Sequence, residues 1–502
     1  MKQFKIVCRS SSLSVIQAEI ARQYLLNASS DIEIEIVLKE TSGDLDQSRP
    51  LYELEGRDFF SKEIDEYLLT GKADFAVHSM KDLSGDRLED ARFVNAAPER
   101  NDPRDFVIFN PDVLDKIAAG KPLVIGTSSL RRQLQAINFL KKSLPVVNGL
   151  SASTETKTIR GNVDTRLQQL QDRKFDGIIL ASAGLNRLLT GGNSNVASLL
   201  SGKRKMFLPL IECAPAPGQG ALLIECLKTN SSAAEILASV NNTALSAQLE
   251  TERNSVTHLG GGCHQQYGSV YIDTPHGGFV NVAGIDEKGN DVSDMLFDVS
   301  LDIAGKKLFS AGDYMKDFFS YEFQAADLSG LYDVVFVAHH RAVTPAIAEQ
   351  LKDKKVWCSG SRSWYELAKL GIWCEGCADG LGFDFLSSVF KQPLTRINKQ
   401  DINILTTTQA AEQWEKENVV AVGTYKLIPN LSKELCDGIS GADIIYWTNF
   451  EQYLAAKHLL KAGVTHACPS GKTAELFLKN NIEPVVFPGI KAFNIWRKKN
   501  TI

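Results

Sequence analysis

The stretch PLVIGTSSLRRQLQAINFLKK, residues 122–142, decides how the first half of the chain folds. Its opening apolar run, ending in glycine, reads as a buried strand. Its second part reads as a helix, and Thr127, Ser128 and Ser129 at the junction bring hydroxyls to the point where backbone N–H groups are free. Strand, polar turn and helix form half of a βαβ unit, so a mostly parallel sheet is expected. The same alternation continues outward on both sides. FKIVCRS, IEIEIVLKE, ADFAVHS and FDGIILAS are predicted strands, and SVIQAEIARQYLLN and KEIDEYLLTG predicted helices. In such sheets ligands bind beyond the carboxyl ends of the strands. The polar motifs of this chain fall at those ends.

The chain has 502 residues, 44% hydrophobic and 23% charged, so it has ample material for several packed domains. The formal net charge of −5 argues against a general nucleic-acid or membrane-surface binder. No apolar run is long enough to span a bilayer, and MKQFKIVCRSSSLSV lacks the apolar core of a signal peptide. Nine scattered cysteines then read as reduced thiols of a cytoplasmic protein. CEGC at Cys374–Cys377 has no second ligand pair at a suitable spacing, so no metal is expected.

Five segments concentrate cations and hydroxyls after apolar runs. They contribute Arg9 and Ser11; Lys81 and Asp82; Thr127, Ser128, Ser129, Arg131 and Arg132; Arg160 and Arg166; and Gln219. Arginine forks grip carboxylates in pairs, so together these residues describe a cleft for a ligand with several negative charges. Asp82 is the carboxylate among them. Nearby cations keep such a group ionised, able to stabilise a cationic species or move protons. A third feature is HLGGGCHQQYG, residues 258–268, where three glycines strip the bulk from around Cys263.

Beyond Ser239 the pattern changes. SVNNTALSAQLETERNSVTHL reads as helical, GSVYIDT and GFVNVAGIDEKGN as strands, and GDYMKDFFSYEF as a helix, which together suggest a small α+β domain. AADLSGLYD looks like a linker, with a boundary near Asp327. The remainder repeats itself weakly. KKVWCSGSRSWYELAKLGIWCEG parallels THACPSGKTAELFLKNNIEPVVF as strand, Ser-Gly turn, helix and short strand, so two similar α/β halves are expected.

AVHSMKDL, GTSSLRR, RGNVDTRL, ASAGLNRL, APGQGAL and LGGGC, in this order, resemble hydroxymethylbilane synthase, also called porphobilinogen deaminase, over roughly residues 1–320. The resemblance implies two lobes like periplasmic type II binding proteins, residues 1–99 with 220–240 and residues 100–219. A cofactor-attachment domain, 241–325, follows. It implies a monomeric transferase that condenses four porphobilinogen molecules head to tail, releases ammonia each time, and frees the linear bilane with water. It also implies a dipyrromethane cofactor joined covalently to Cys263. Asp82 would be the catalytic carboxylate. Lys81, Ser129, Arg131, Arg132 and Arg160 would hold the cofactor, and Arg9, Ser11, Arg57, Thr127, Ser128, Arg166 and Gln219 the substrate. The segment LEGRDFFSKE departs from the family lid, with Glu53, Arg57 and Asp58 at altered positions; Ser84 and Gln266 stand where the family has prolines. Residues 328–502 resemble uroporphyrinogen-III synthase, with Tyr425, Thr448, Asn449, Ser470 and Thr473 as polar contacts, and so imply a bifunctional protein of haem biosynthesis. The alternative is a polycarboxylate- or tetrapyrrole-binding protein with a degenerate site.

Overall fold

A computed structural model of the chain describes residues 2–41, 62–257, 266–286, 288–416 and 419–500. The chain forms two compact units. The first comprises Met1–Tyr271, Asn281–Ser293 and Gln392–Arg396; the second comprises Ile272–Val280, Asp294–Lys391 and Ile397–Ile502. Among the described residues, no helix is long and apolar enough to cross a membrane.

Ten strands of the first unit build two sheets. They are β1 (Lys2–Arg9), β2 (Ile32–Lys39), β3 (Phe75–Ser79), β4 (Phe93–Ala96), β5 (Asp105–Phe109), β6 (Leu123–Gly126), β7 (Thr154–Lys157), β8 (Gly177–Ala181), β9 (Arg204–Phe207) and β10 (Leu222–Leu227). The sheet orders are β2-β1-β3-β10-β4 and β7-β6-β8-β5-β9. These orders are equivalent. In each, the first three positions are parallel, and the fourth strand runs antiparallel to both neighbours. That fourth strand is the first one the chain forms after crossing from the other sheet. The two crossings therefore stitch the sheets together, and they fit the expected pair of lobes.

The sequence explains the strand positions. β2 alternates buried and exposed residues at its start, as an edge strand with one covered face should. β5, in the sheet interior, is buried along its whole length. The predicted strand and helix of residues 122–142 form as β6 and the helix Leu130–Ser143, whose amino end is capped by the Ser129 side chain accepting from the Arg132 N–H. Gly126 is required inside that strand. A Cβ there would lie 2.9 Å from the Phe175 ring.

β11 (Tyr267–Ile272), β12 (Phe279–Ile285) and β13 (Asp291–Leu296) form a three-stranded sheet. The next segment departs from expectation. GDYMKDFFSYEF does not form the predicted helix; turns lead into a strand instead. The strands that follow are β14 (Leu308–Ser310), β15 (Phe319–Phe323), β16 (Val334–Val337), β17 (Lys355–Cys358), β18 (Cys374–Cys377), β19 (Ile402–Thr407), β20 (Val420–Pro429), β21 (Ile444–Tyr446), β22 (Thr465–Pro469) and β23 (Val485–Phe487). β15 pairs antiparallel with β20, and β14 pairs parallel with β21. Strands that precede the predicted boundary near Asp327 thus already belong to sheets of the C-terminal region. A partner strand far along the chain outweighed the local helical pattern of the aromatic run.

The second unit holds two sheets, β14-β21-β22-β23 and β15-β20-β19-β16-β17-β18. The weak internal repeat is real in three dimensions. One copy is β17, helix Ser361–Lys369 and β18; the other is β22, helix Lys472–Lys479 and β23. Each copy closes with a parallel pair.

Candidate functional site

The site grows from the end of β3. Ser79 accepts a hydrogen bond from Gln17 Nε2 at 2.9 Å, and Met80–Asp82 then makes a single tight turn. That turn presents Lys81 and Asp82 beyond the carboxyl end of the strand. Lys81 Nζ donates to Gln219 Oε1 at 3.4 Å. Burial pushes the Lys81 ammonium down to about 8. Asp82 and Asp105 oppose that push, and Arg132 and Arg131 add to it.

A buried carboxylate organises the arginines. Asp105 opens β5 and is 1% exposed. Its Oδ2 accepts from Arg131 Nη1 at 2.8 Å, and its Oδ1 accepts from Arg132 Nη2 at 2.7 Å and Nε at 3.1 Å. Burial works to raise the Asp105 pKa, but the two guanidiniums outweigh it and hold the carboxyl well below the ordinary range. Gln219 Nε2 donates to the same Oδ1 at 2.9 Å and to the Pro103 carbonyl at 2.6 Å. Gln219 therefore links the Asp105 pair to Lys81.

The neighbouring helix Val163–Gln171 adds Arg166, whose Nε donates to the Gly161 carbonyl at 2.7 Å. Burial, then Arg132 and Arg160, push its guanidinium down to about 10, and Asp82 partly offsets them. Among the described residues, Lys81, Arg131, Arg132, Arg160 and Arg166 thus share one electrostatic neighbourhood with the carboxylates Asp82 and Asp105. Such a group of cations is chemically suited to an anionic ligand that carries several carboxylates.

Other predicted residues take supporting positions. Thr127 is fully buried, and its hydroxyl accepts from the Ser129 N–H at 3.2 Å. The Ser128 hydroxyl donates to the Ile159 carbonyl. Ser11 caps the helix Ser12–Ala28, accepting from the Ser14 N–H at 3.3 Å. Arg9 is the last residue of β1, the parallel neighbour of β3. Arg57 and Cys263, with its three glycines, lie outside the described residues.

Parts of three networks went unnoticed in the sequence. Asp105 itself was one part; its only signal is an acid opening the apolar run DFVIF. Glu252 is fully buried, bonds Arg100 at 2.5 Å, and accepts from the N–H groups of Gly218 at 2.9 Å and Tyr271 at 2.7 Å. It braces the crossing that carries Gln219. His78, in β3, contacts Glu225 at 2.9 Å. Among the described residues, His78, Glu225 and Asp65 are a group close enough to hold a metal ion. Arg87 already bonds Glu225 at 2.6 Å and Asp65 at 2.8 and 2.9 Å, supplying the positive charge a metal would bring.

In the second unit Tyr425 is buried in β20, and burial pushes its phenol up to about 12. Asn449 caps the helix Phe450–Ala456, and Thr448 Oγ1 donates to Gln452 Oε1 at 2.8 Å. Ser470 is buried behind β22, and Thr473 lies in the helix Lys472–Lys479. The cysteines of CEGC are buried in β18 beside Cys358, and burial pushes the Cys358 and Cys377 thiols up.

Residues 4–235 match the family model described as porphobilinogen deaminase, dipyromethane cofactor binding domain. A porphobilinogen deaminase of Caldicellulosiruptor saccharolyticus is 38% identical over 269 residues, which cover 53% of this chain and 84% of that protein. The chain belongs to the porphobilinogen deaminase family. The family protein of Nitratidesulfovibrio vulgaris is 36% identical over 56% of this chain and 81% of its own length. That of Clostridium kluyveri is 33% identical over 61% and 93%. The matched region contains every member of the Lys81–Asp82–Asp105–Gln219 network. A dipyrromethane cofactor fits the residues present, because its carboxylates suit the cations grouped with Asp82.

Proposed function

We propose that the chain is a hydroxymethylbilane synthase that condenses four porphobilinogen molecules and releases one ammonia for each. The observation that carries this reading is Asp82 close enough to act on both Lys81 and Arg166, with Arg132 and Arg160 acting on the same Arg166. Porphobilinogen brings an acetate and a propionate, and Lys81, Arg160 and Arg166 are suited to bind them. Asp82 accepts the pyrrole N–H and stabilises the positive charge that develops on the substrate as ammonia departs. Asp105 and Gln219 fix the arginines and Lys81 before substrate arrives, so little reorganisation is needed. Lys81, Ser129, Arg131, Arg132 and Arg160 would hold a dipyrromethane, with Cys263 as its covalent tether, and that group when bound would supply the pyrrole that is extended.

Intact mass spectrometry tests this. The purified chain should carry a two-pyrrole adduct that Cys263→Ser lacks. Asp82→Asn should bind porphobilinogen and release almost no ammonia. An unmodified wild-type mass after expression with porphobilinogen available would overturn the reading.

We also propose that the second unit is a uroporphyrinogen-III synthase. The supporting observation is its pair of α/β sheets containing the duplicated strand–turn–helix–strand. A tether between successive enzymes raises the local concentration of the bilane. Incubation with porphobilinogen should yield type III uroporphyrinogen; formation of type I alone, with the bilane confirmed, would refute this second activity.

A further inference from the structure

The loop Gln392–Arg396 lies far beyond the family match, yet it belongs to the first unit. It is a compact turn. The N–H groups of Thr395 and Arg396 both donate to the Gln392 carbonyl, at 3.0 and 2.9 Å, and Arg396 adopts φ 52°. Pro393 restricts the backbone further.

Asn186 reads this turn with both ends of its amide. Its Nδ2 donates to Gln392 Oε1 at 2.6 Å, and its Oδ1 accepts from the Leu394 N–H at 3.2 Å. Asn186 is 1% exposed and Leu394 5%. The Gln392 amide is then aimed at Asp102, donating from Nε2 to Oδ2 at 3.2 Å. Asp102 also binds Arg104 Nη1 at 2.7 Å, and its carbonyl accepts from the Ser182 hydroxyl at 2.9 Å.

Asp102 begins a four-residue run with consequences at every step. The Pro103 carbonyl holds Gln219, and Asp105 holds Arg131 and Arg132. We propose that Gln392–Arg396 is a positioning loop, supplied by the C-terminal part of the chain, that sets the crossing Asp102–Asp105 and through it the cations of the substrate site. Gln392 is a positioning residue; it touches none of the reacting groups. The inference rests on the deaminase reading of that site.

The test uses the full chain. Gln392→Glu places a carboxylate against Asp102, Gln392→Ala removes the contact, and Asn186→Ala releases the turn. Ammonia release gives KM and kcat for porphobilinogen, calorimetry of each variant combined with Asp82→Asn gives porphobilinogen binding without turnover, and thermal melting monitors folding. The expected result is a KM raised on the order of tenfold in Gln392→Glu and about threefold in the two alanine variants, with kcat within about twofold. Binding should weaken in the same order. Unchanged KM and binding in Gln392→Glu overturn the positioning role while leaving the deaminase reading intact. Loss of rate in proportion to the unfolded fraction also overturns it, by making the contact merely structural; Gln392→Ala decides this if the charged variant fails to fold. A wild-type chain that neither binds nor consumes porphobilinogen overturns both.

Discussion

The two units bury different chemistry. The first buries Arg87, Arg104, Asp105, Arg131, Arg132, Asp176, Arg187, Glu225 and Glu252. The second, among its described residues, buries no aspartate, glutamate, lysine or arginine; its interior holds Trp357, Trp364, Tyr446, Trp447 and Phe477 with a few neutral polar groups. Taking ions out of water is costly, and replacing a buried pair with well-packed apolar residues is often neutral or stabilising. Packing alone could therefore hold the first unit, as it does the second. Three of its buried ions, Asp105, Arg131 and Arg132, are explained by the site they build: Asp105 fixes the two arginines, which share an electrostatic neighbourhood with Lys81 and Asp82.

The sharpest way to break this comparison is to remove Asp105. Asp105→Asn leaves Arg131 and Arg132 buried without their counter-ion, which should cost about 3–5 kcal/mol in chemical denaturation of the first unit. The pH dependence has a definite sign. The folded-state pKa is depressed, so the stabilisation is present above the ordinary carboxylate value and lost as pH falls through the folded one. The variant should therefore show a flatter loss of stability below about pH 4. An unchanged denaturation midpoint would mean that the ion pairs carry no structural weight.

The matching change in the second unit is Phe477→Ala. Phe477 is fully buried and meets the Phe450 ring edge-on with centroids 4.9 Å apart. Truncation should cost about 3–5 kcal/mol. Ammonia release by the folded first unit should keep its wild-type kcat and KM at low temperature. A parallel fall in that activity would erase the distinction between the units.

The difference also explains what could be read in advance. The α/β pattern of the first 240 residues was visible because strand runs, caps and polar strand ends agree with one another. Lys81, Asp82, Arg132, Arg160 and Arg166 came together as their motifs suggested. Asp105 escaped because an acid before an apolar strand looks like an ordinary flank, and its two arginines stand a whole β-strand and helix start away. FFSYEF escaped for a related reason: its partner, β20, is distant in the chain, and local spacing says nothing of it. The loop Gln392–Arg396 had no signal at all beyond one proline, since its role depends on Asn186.

Lys81 sharpens the comparison within the site. Its ammonium loses its charge as pH rises through about 8, below the ordinary 10.5. Between those values the unfolded chain binds more protons than the folded one, so this group's contribution to stability improves with rising pH. Substrate binding runs the opposite way. KM for the anionic substrate should rise on the order of threefold to tenfold between pH 7 and 9. Lys81→Arg, which does not titrate there, should flatten the profile, and a profile that keeps its wild-type shape in that variant would assign the titration to another group.

The smallest effect concerns Asn449, where two roles compete. Its side chain accepts from the Gln452 N–H at 3.0 Å, and Gln452, itself buried, donates to the Ala311 carbonyl at 3.4 Å. The cap alone accounts for an asparagine here. Asn449→Ala should therefore cost about 1 kcal/mol in denaturation of the second unit, and Asn449→Ser should restore most of it because serine caps as well. A purely capping role predicts that the serine variant makes the same proportion of type III uroporphyrinogen as the wild type. Serine keeps the cap but loses the amide and its reach, so a stable serine variant that yields mainly type I would show that Asn449 also contacts the substrate of the proposed synthase.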